Sequence, residues 1–400
     1  MIGSTRSSSK SFAPKRSTVA VVACVVAAAL TGCGGEASGV DEDCAKAAEI
    51  PPKNGAGTIA LVVDNTASNS RGALPEALSG ALAEAQNQQL KLAIIPVDGA
   101  GVTPSVVRTV ALEPNPDVDS PAADKARKIV LGCVGKWIRE PATLPKAPGS
   151  AVLEAISAAA RQQPKQILVL SDGLGSAGDF DLNSVGFDTE PAALADALRR
   201  ANALAPELSG QSVLWSGQGE SRSALSQSLR NSLRSSWGEV FKAAGATVAF
   251  DPRTGSASGA TDEKLPDDNV RIPEQQRLTF GCTTQWTVPA ALLFPPETDV
   301  LQPGADQVLA GVAADLNSHA DWVATITGHT ADYGSADGQQ ALSQRRADSV
   351  MKALRDQGVG ENRLTANGVG SSVQAAGTSD RTAAENRRVV IKAGPKGCSG

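Results

Sequence analysis

The residue that most needs a chemical explanation is Arg346. On a helical wheel at about 100° per residue, Leu342, Ala347, Val350 and Leu354 share one arc, and Gln344, Arg345, Asp348, Lys352 and Arg355 share the opposite one. Arg346 falls inside the apolar arc. A guanidinium cannot shed its charge, so an inward arginine needs an anion or must snorkel along the helix. The anion is an internal carboxylate or one carried by a ligand. A second set of oxygens lies far upstream. Asp64, Thr66 and Ser68 follow one apolar run, Ser150 opens a helical stretch, and Asp172 follows another apolar run. Brought together, these carboxylates and hydroxyls suit Mg²⁺ or another hard cation. Taken separately, Asp64 and Asp172 would cap neighbouring helices. Hydrolytic chemistry has little to work with. There are two histidines, His319 and His329, and no Gly-x-Ser-x-Gly elbow. His329 reads as a structural hydrogen-bonding residue, and no enzyme is expected.

These residues sit at the ends of regular elements. Thr58–Val63 is a continuous apolar run, as expected of a buried parallel strand. Helix is predicted over about 72–88, 121–138, 150–161, 191–203 and 223–243. Further strands are predicted over 91–97, 106–112, 166–170, 212–215 and 247–250. That alternation predicts a doubly wound α/β sheet over residues 56–252. Asp64 and Asp172 then fall at carboxyl ends of strands, where ligands of such folds bind. Residues 253–280 are rich in Pro, Gly, Ser and Asp and read as a linker. From there to residue 400, strands at 285–293, 322–327, 363–367 and 389–393 alternate with helices at 305–317 and after Ser335, a plausible N-cap. This predicts a smaller α+β domain, a mixed sheet with both helices on one face.

The N-terminus predicts the compartment. Arg6, Lys10, Lys15 and Arg16 precede an apolar stretch from Val19 to Leu30, too short to span a bilayer comfortably. Residues 1–32 therefore read as a signal peptide. Leu30-Thr31-Gly32-Cys33 resembles a bacterial lipobox, which implies cleavage before Cys33, covalent lipid on it, and a membrane-anchored protein facing the extracytoplasmic side. Residues 33–55 read as a tether. Without residues 1–32 the chain keeps 33 of its 37 basic residues against all 42 acidic ones, a net charge of −9. That balance argues against nucleic acid and against a polybasic membrane patch. Cys44, Cys133, Cys282 and Cys398 remain, an even number suited to an oxidising compartment. Four cysteines allow three pairings. Cys44–Cys133 with Cys282–Cys398 is favoured, because each bridge then stays within one predicted domain.

Two families share these patterns. Gly328-His329-Thr330, the helix with Leu342-Ser343 and Arg345-Arg346-Ala347, Gly368-Val369-Gly370 and Asn386-Arg387-Arg388-Val389 together resemble the OmpA C-terminal domain family over about residues 284–394. That family holds peptidoglycan non-covalently. The resemblance implies that Arg346 binds a carboxylate of diaminopimelate, with Thr330, Gln339, Arg387 and Arg388 nearby. The family aspartate after Gly-His-Thr is Ala331 here, with Asp332 one residue later, and Ser371 replaces a common Glu. Asp64-x-Thr66-x-Ser68, Ser150 and Asp172-Gly173 resemble the metal-ion-dependent adhesion site of von Willebrand factor type A domains, with Thr66 and Ser150 keeping the hydroxyls. This implies Mg²⁺ and an unnamed protein partner that donates a carboxylate. The leading expectation is a lipid-anchored envelope protein that ties membrane to wall. The alternative is metal-dependent adhesion or assembly, with the second domain as a tether.

Overall fold

The apolar run Thr58–Val63 is buried along its whole length, which only a strand covered on both faces permits. A computed structural model describes residues 36–69, 74–115, 118–251 and 264–398. The predicted signal peptide and Cys33 lie outside the described residues. The chain divides into two units, Met1–Asp43 and Cys44–Gly400. Helix α1 (Glu36–Ala48) takes up part of the stretch expected to be a tether. Within the second unit, Cys44 and Ala47 are buried, and a disulfide joins Cys44 to Cys133.

The first sheet follows the predicted alternation. Its elements are β1 (Thr58–Val63), α2 (Glu76–Asn87), β2 (Lys91–Pro96), β3 (Arg108–Ala111), α3 (Pro121–Trp137), α4 (Val152–Ala160), β4 (Ile167–Leu170), α5 (Leu182–Val185), α6 (Pro191–Arg200), β5 (Ser212–Ser216), α7 (Gln227–Ala243) and β6 (Thr247–Phe250). The strand order is β3-β2-β1-β4-β5-β6. Every pair is parallel except β2 with the edge strand β3. Ile59, Leu61 and Val63 face one apolar cluster with α2 and α3, while Ala60 and Val62 face another with α4 and α7. Helices therefore cover both faces. The order reverses between β1 and β4, so their carboxyl ends flank the crevice where such sheets bind ligands.

The second sheet consists of β7 (Gln276–Phe280), β8 (Thr283–Pro289), β9 (Trp322–His329), β10 (Leu364–Gly368) and β11 (Arg388–Pro395), with helices α8 (Ala290–Leu293), α9 (Ala305–Ser318) and α10 (Ala336–Asp356). Its order is β10-β9-β11-β8-β7, parallel only between β9 and β10. Strand β7 falls where a linker was expected. It is exposed along its length, Leu278 and Phe280 included, and pairs with β8 in a hairpin. Cys282–Cys398 staples this hairpin to the C-terminal segment. Both disulfides match the favoured pairing.

The two sheets share one continuous apolar cluster, which includes Trp237 and Phe241 of α7 as well as Leu292, Leu293 and Trp286 of the second sheet region. Ser228 at the start of α7 donates to the carbonyls of Leu292 or Pro303, each at 3.3 Å. No helix of the described residues is long and apolar enough to cross a membrane.

Candidate functional site

Helix α10 begins as its sequence requires, with Ser335 accepting the Gly338 N–H at 3.2 Å. Its inward face carries Ser343, Ala347, Val350 and Leu354, and Arg346 lies among them with 4% exposure. The helix lies directly on β9. A Cβ at Gly328 would stand 2.1 Å from the Ser343 carbonyl oxygen, so only glycine permits this seating. That contact sets the depth at which Arg346 enters the domain.

A cavity of ≈ 270 Å³ opens beside Arg346, with Glu297, Thr330, Tyr333, Gln339 and Arg387 among its walls. Arg346 Nε donates to the Thr298 carbonyl at 2.7 Å, and the guanidinium lies 5.1 Å from the centre of the Phe294 ring. It has no carboxylate partner among the described residues, whereas its neighbours do. Arg345 pairs with Asp299 at 3.2 Å, and Arg387 pairs with Asp188. Burial pulls the Arg346 pKa down, and Glu297 is the largest charge opposing that shift. Thr330 Oγ1 is buried and makes no hydrogen bond. A buried cation and an unpartnered hydroxyl thus border one cavity, the condition under which a ligand anion is favoured.

The other predicted residues are placed as follows. Gln339 is buried and donates to Asp332 Oδ1 at 3.2 Å and to the Tyr333 carbonyl at 2.9 Å, while its Oε1 accepts from Ser371. Asp332 is held by Arg381 at 2.7 Å, and that ion pair keeps its carboxyl below the usual range. Arg387 lines the cavity, but its partner Asp188 belongs to the first sheet region, and its Nη2 lies 2.7 Å from Asp188 Oδ1. Arg388 points elsewhere, donating to the carbonyls of Glu385, Asn386 and Val373 as a structural clamp. His329 is buried, and burial followed by the charge of Arg388 lowers its pKa to about 4. Sequence reasoning missed Glu297, whose only signal is the Pro295-Pro296 turn before it. It also missed Asp188, which nothing local marks.

Of the second predicted set, Asp64, Thr66, Ser68 and Asp172 lie together, while Ser150 bonds through its backbone to Ser176. Asp64 accepts from the hydroxyls of Thr66 and Ser171, each at 2.6 Å, and Ser68 Oγ donates to Asp172 Oδ2 at 3.2 Å. The loop bearing Asp172 is held by two buried indoles, Trp215 donating to the Ser171 carbonyl at 2.7 Å and Trp237 to the Gly173 carbonyl at 3.0 Å. Gly173 adopts φ +76°, with Trp237 Nε1 only 3.0 Å from where a Cβ would stand. Ser150 is fully buried, and its hydroxyl has no partner. Burial, then the neighbouring Asp64 charge, pushes the Asp172 pKa up to about 8, and burial raises that of Asp64. Among the described residues, no group of three or more His, Cys, Asp or Glu is arranged to hold a metal. A cation here would therefore rely on the hydroxyls.

Residues 293–388 match the OmpA family. This OmpA-like region is similar to the probable lipoprotein YiaD of Escherichia coli, at 35% identity over 27% of this chain and 50% of that protein. It is also similar to the outer-membrane lipoprotein YfiB of Pseudomonas aeruginosa, at 34% identity over 25% of this chain and 60% of that protein. The chain thus spans about half the length of the curated relatives it matches. The solved peptidoglycan-associated lipoprotein of Burkholderia pseudomallei is 29% identical, with a TM-score of 0.24, over 26% of this chain and 93% of that one.

Proposed function

We propose that this is a lipid-anchored cell-envelope protein whose OmpA-like region binds peptidoglycan without a covalent bond. The observation that carries the reading is Arg346, a buried guanidinium that opens on a cavity and lacks a carboxylate partner. A carboxylate of diaminopimelate in a peptide stem fits it, because a guanidinium accepts a carboxylate through two parallel hydrogen bonds. The unpartnered Thr330 hydroxyl offers that group a further contact. The ammonium of the same zwitterion needs an acid. Asp332 is engaged by Arg381, and Glu297 lines the cavity with Arg346. We assign the ammonium to Glu297. The reading is of a binding protein without turnover.

Co-sedimentation of the full chain with purified diaminopimelate-type peptidoglycan tests this. Arg346→Ala is expected to abolish binding, Glu297→Gln to weaken it, and Asp332→Ala to leave it nearly unchanged. Undiminished binding by Arg346→Ala would remove the reading. Loss with Asp332→Ala alone would return the ammonium to Asp332.

A second reading is favoured by the buried carboxylates. The first sheet region is read as a von Willebrand factor type A-like domain in which Asp64, Thr66, Ser68, Ser150 and Asp172 hold Mg²⁺ for adhesion or assembly, with the OmpA-like region as the wall tether. The ion would supply a Lewis-acidic position for a partner carboxylate. Mg²⁺-dependent thermal stabilisation that disappears in Asp64→Ala supports it. Melting that is indifferent to Mg²⁺ removes it.

A further inference from the structure

The cavity beside Arg346 is not built by the OmpA-like region alone. One wall is Arg387, and a residue of the first sheet region holds it. Asp188 lies between α5 and α6. It accepts from Arg387 Nε on Oδ2 and from Nη2 on Oδ1. This two-pronged pair fixes the plane of the guanidinium. The two side chains are only 13% and 8% exposed, so solvent screens them little. Arg387 Nη1 donates to the Thr382 carbonyl at 3.3 Å.

The rest of that loop is seated on the same walls. Ala384 Cβ and Arg387 Nη2 stand 3.6 and 3.8 Å from where a Cβ of Gly186 would be. Phe187, Thr189 and Glu190 share a second cavity of ≈ 330 Å³ with Pro295 and Pro296, the turn that leads into Glu297. One loop of the first sheet region therefore backs both Arg387 and the turn before Glu297.

The consequence is a charge count. Arg346, Arg387 and Glu297 line the cavity, and Arg345 there is paired with Asp299. At Arg346 the charge of Asp188 opposes that of Arg387. With Asp188 cancelling Arg387, the cavity presents one open cation, Arg346, and one acid, Glu297. That is the complement of a zwitterion. Without Asp188 the same walls would hold two cations and one acid, and would favour a plain anion.

We propose that Asp188 is a specificity-determining residue of the wall-binding cavity, supplied by the first sheet region, and that it makes the cavity select a zwitterionic amino-acid end over a simple carboxylate. This rests on the reading of the cavity as the peptidoglycan site. Asp188 is a positioning residue, acting on the ligand through Arg387. The first sheet region is then part of the wall-binding site.

The full chain, bound to purified diaminopimelate-type peptidoglycan, is displaced with two soluble probes. These are meso-diaminopimelate and pimelate, which share a dicarboxylate chain and differ in the ammonium groups. The ratio of their half-displacing concentrations is the readout. Wild type is expected to need about tenfold more pimelate than diaminopimelate, and Asp188→Asn, which keeps the shape, to need nearly equal amounts. The double variant Asp188→Asn/Arg387→Gln removes both charges and should restore the wild-type ratio. A merely structural role would weaken both probes alike and leave the ratio unchanged. Melting curves check folding. Arg387→Gln alone leaves the opposite charge and should widen the ratio at pH 8, which keeps the test decisive if Asp188→Asn does not fold. If the single variants keep the wild-type ratio, or wild type does not distinguish the probes, while Arg346→Ala loses peptidoglycan, the wall-binding reading stands and the proposal falls. If wild type does not bind peptidoglycan, or Arg346→Ala binds it undiminished, the wall-binding reading falls and takes the proposal with it.

Discussion

The two candidate sites are opposites. Beside Arg346 a buried cation borders an open cavity and lacks an anion. At Ser68 the buried Asp172 and Asp268 accept from one residue's hydroxyl and amide. Burial acts on the two in different ways: the guanidinium keeps its charge, while the Asp64 and Asp172 carboxyls are pushed towards their neutral form. The difference lies in access. The first site opens on a cavity. The second is enclosed, with Asp64, Asp172 and Asp268 all buried. The OmpA family match, residues 293–388, lies on the side of Arg346.

The sharpest way to break the comparison is a crossed assay. Arg346→Ala should lose about 2–5 kcal/mol of wall binding and keep Mg²⁺-dependent stabilisation, while Asp64→Ala does the reverse. If either variant loses both properties, the sites are not independent. Next is the Asp188–Arg387 pair, which joins the first sheet region to the cavity wall and is largely buried on both sides. Asp188→Ala leaves Arg387 without its partner and should lower stability in urea by about 3–5 kcal/mol. An unchanged urea midpoint would show that the two regions are not tied there.

Gly328→Ala should cost about 1–3 kcal/mol, because its methyl meets the Ser343 carbonyl, and α10 must shift to relieve it. Wall binding should fall more than stability does, since the shift moves Arg346. Equal wall binding would show that the seating of α10 does not control the site. The smallest effect is acid-dependent. His329 has a folded pKa of about 4 against an ordinary 6.5, so the unfolded chain binds more protons between those values. Its contribution is fully present above pH 6.5 and is lost as pH falls through about 4. Chemical denaturation from pH 7 to pH 4 should show this loss in wild type and a shallower slope in His329→Asn. Parallel slopes would exclude His329 as its source.

Much of this protein was legible in its sequence because the information is local. The run Thr58–Val63 is buried on both faces as its composition requires, and Ser335 caps α10 as its position suggests. The helical wheel alone singled out Arg346 as the inward charge. The convergence of Asp64, Ser68 and Asp172 followed from strand ends in a doubly wound sheet, a rule of topology that needs no coordinates. The favoured cysteine pairing, first with second and third with fourth, is the one observed.

What only the tertiary structure decided was the set of long-range partners, and the reason is physical. A carboxylate looks the same in sequence whether it is solvated or buried, and its environment is set by elements that fold against it from elsewhere. Asp332 looked available, but Arg381 holds it. Arg388 looked like a ligand residue, but its donors are taken by backbone carbonyls. Glu297 reached the cavity because the loop after α8 turns beneath α10, and Asp188 reached Arg387 because the two sheets share one apolar cluster. Asp268 lay in a polar stretch whose composition promised only a linker, and folding carried it onto Ser68, 200 residues earlier in the chain.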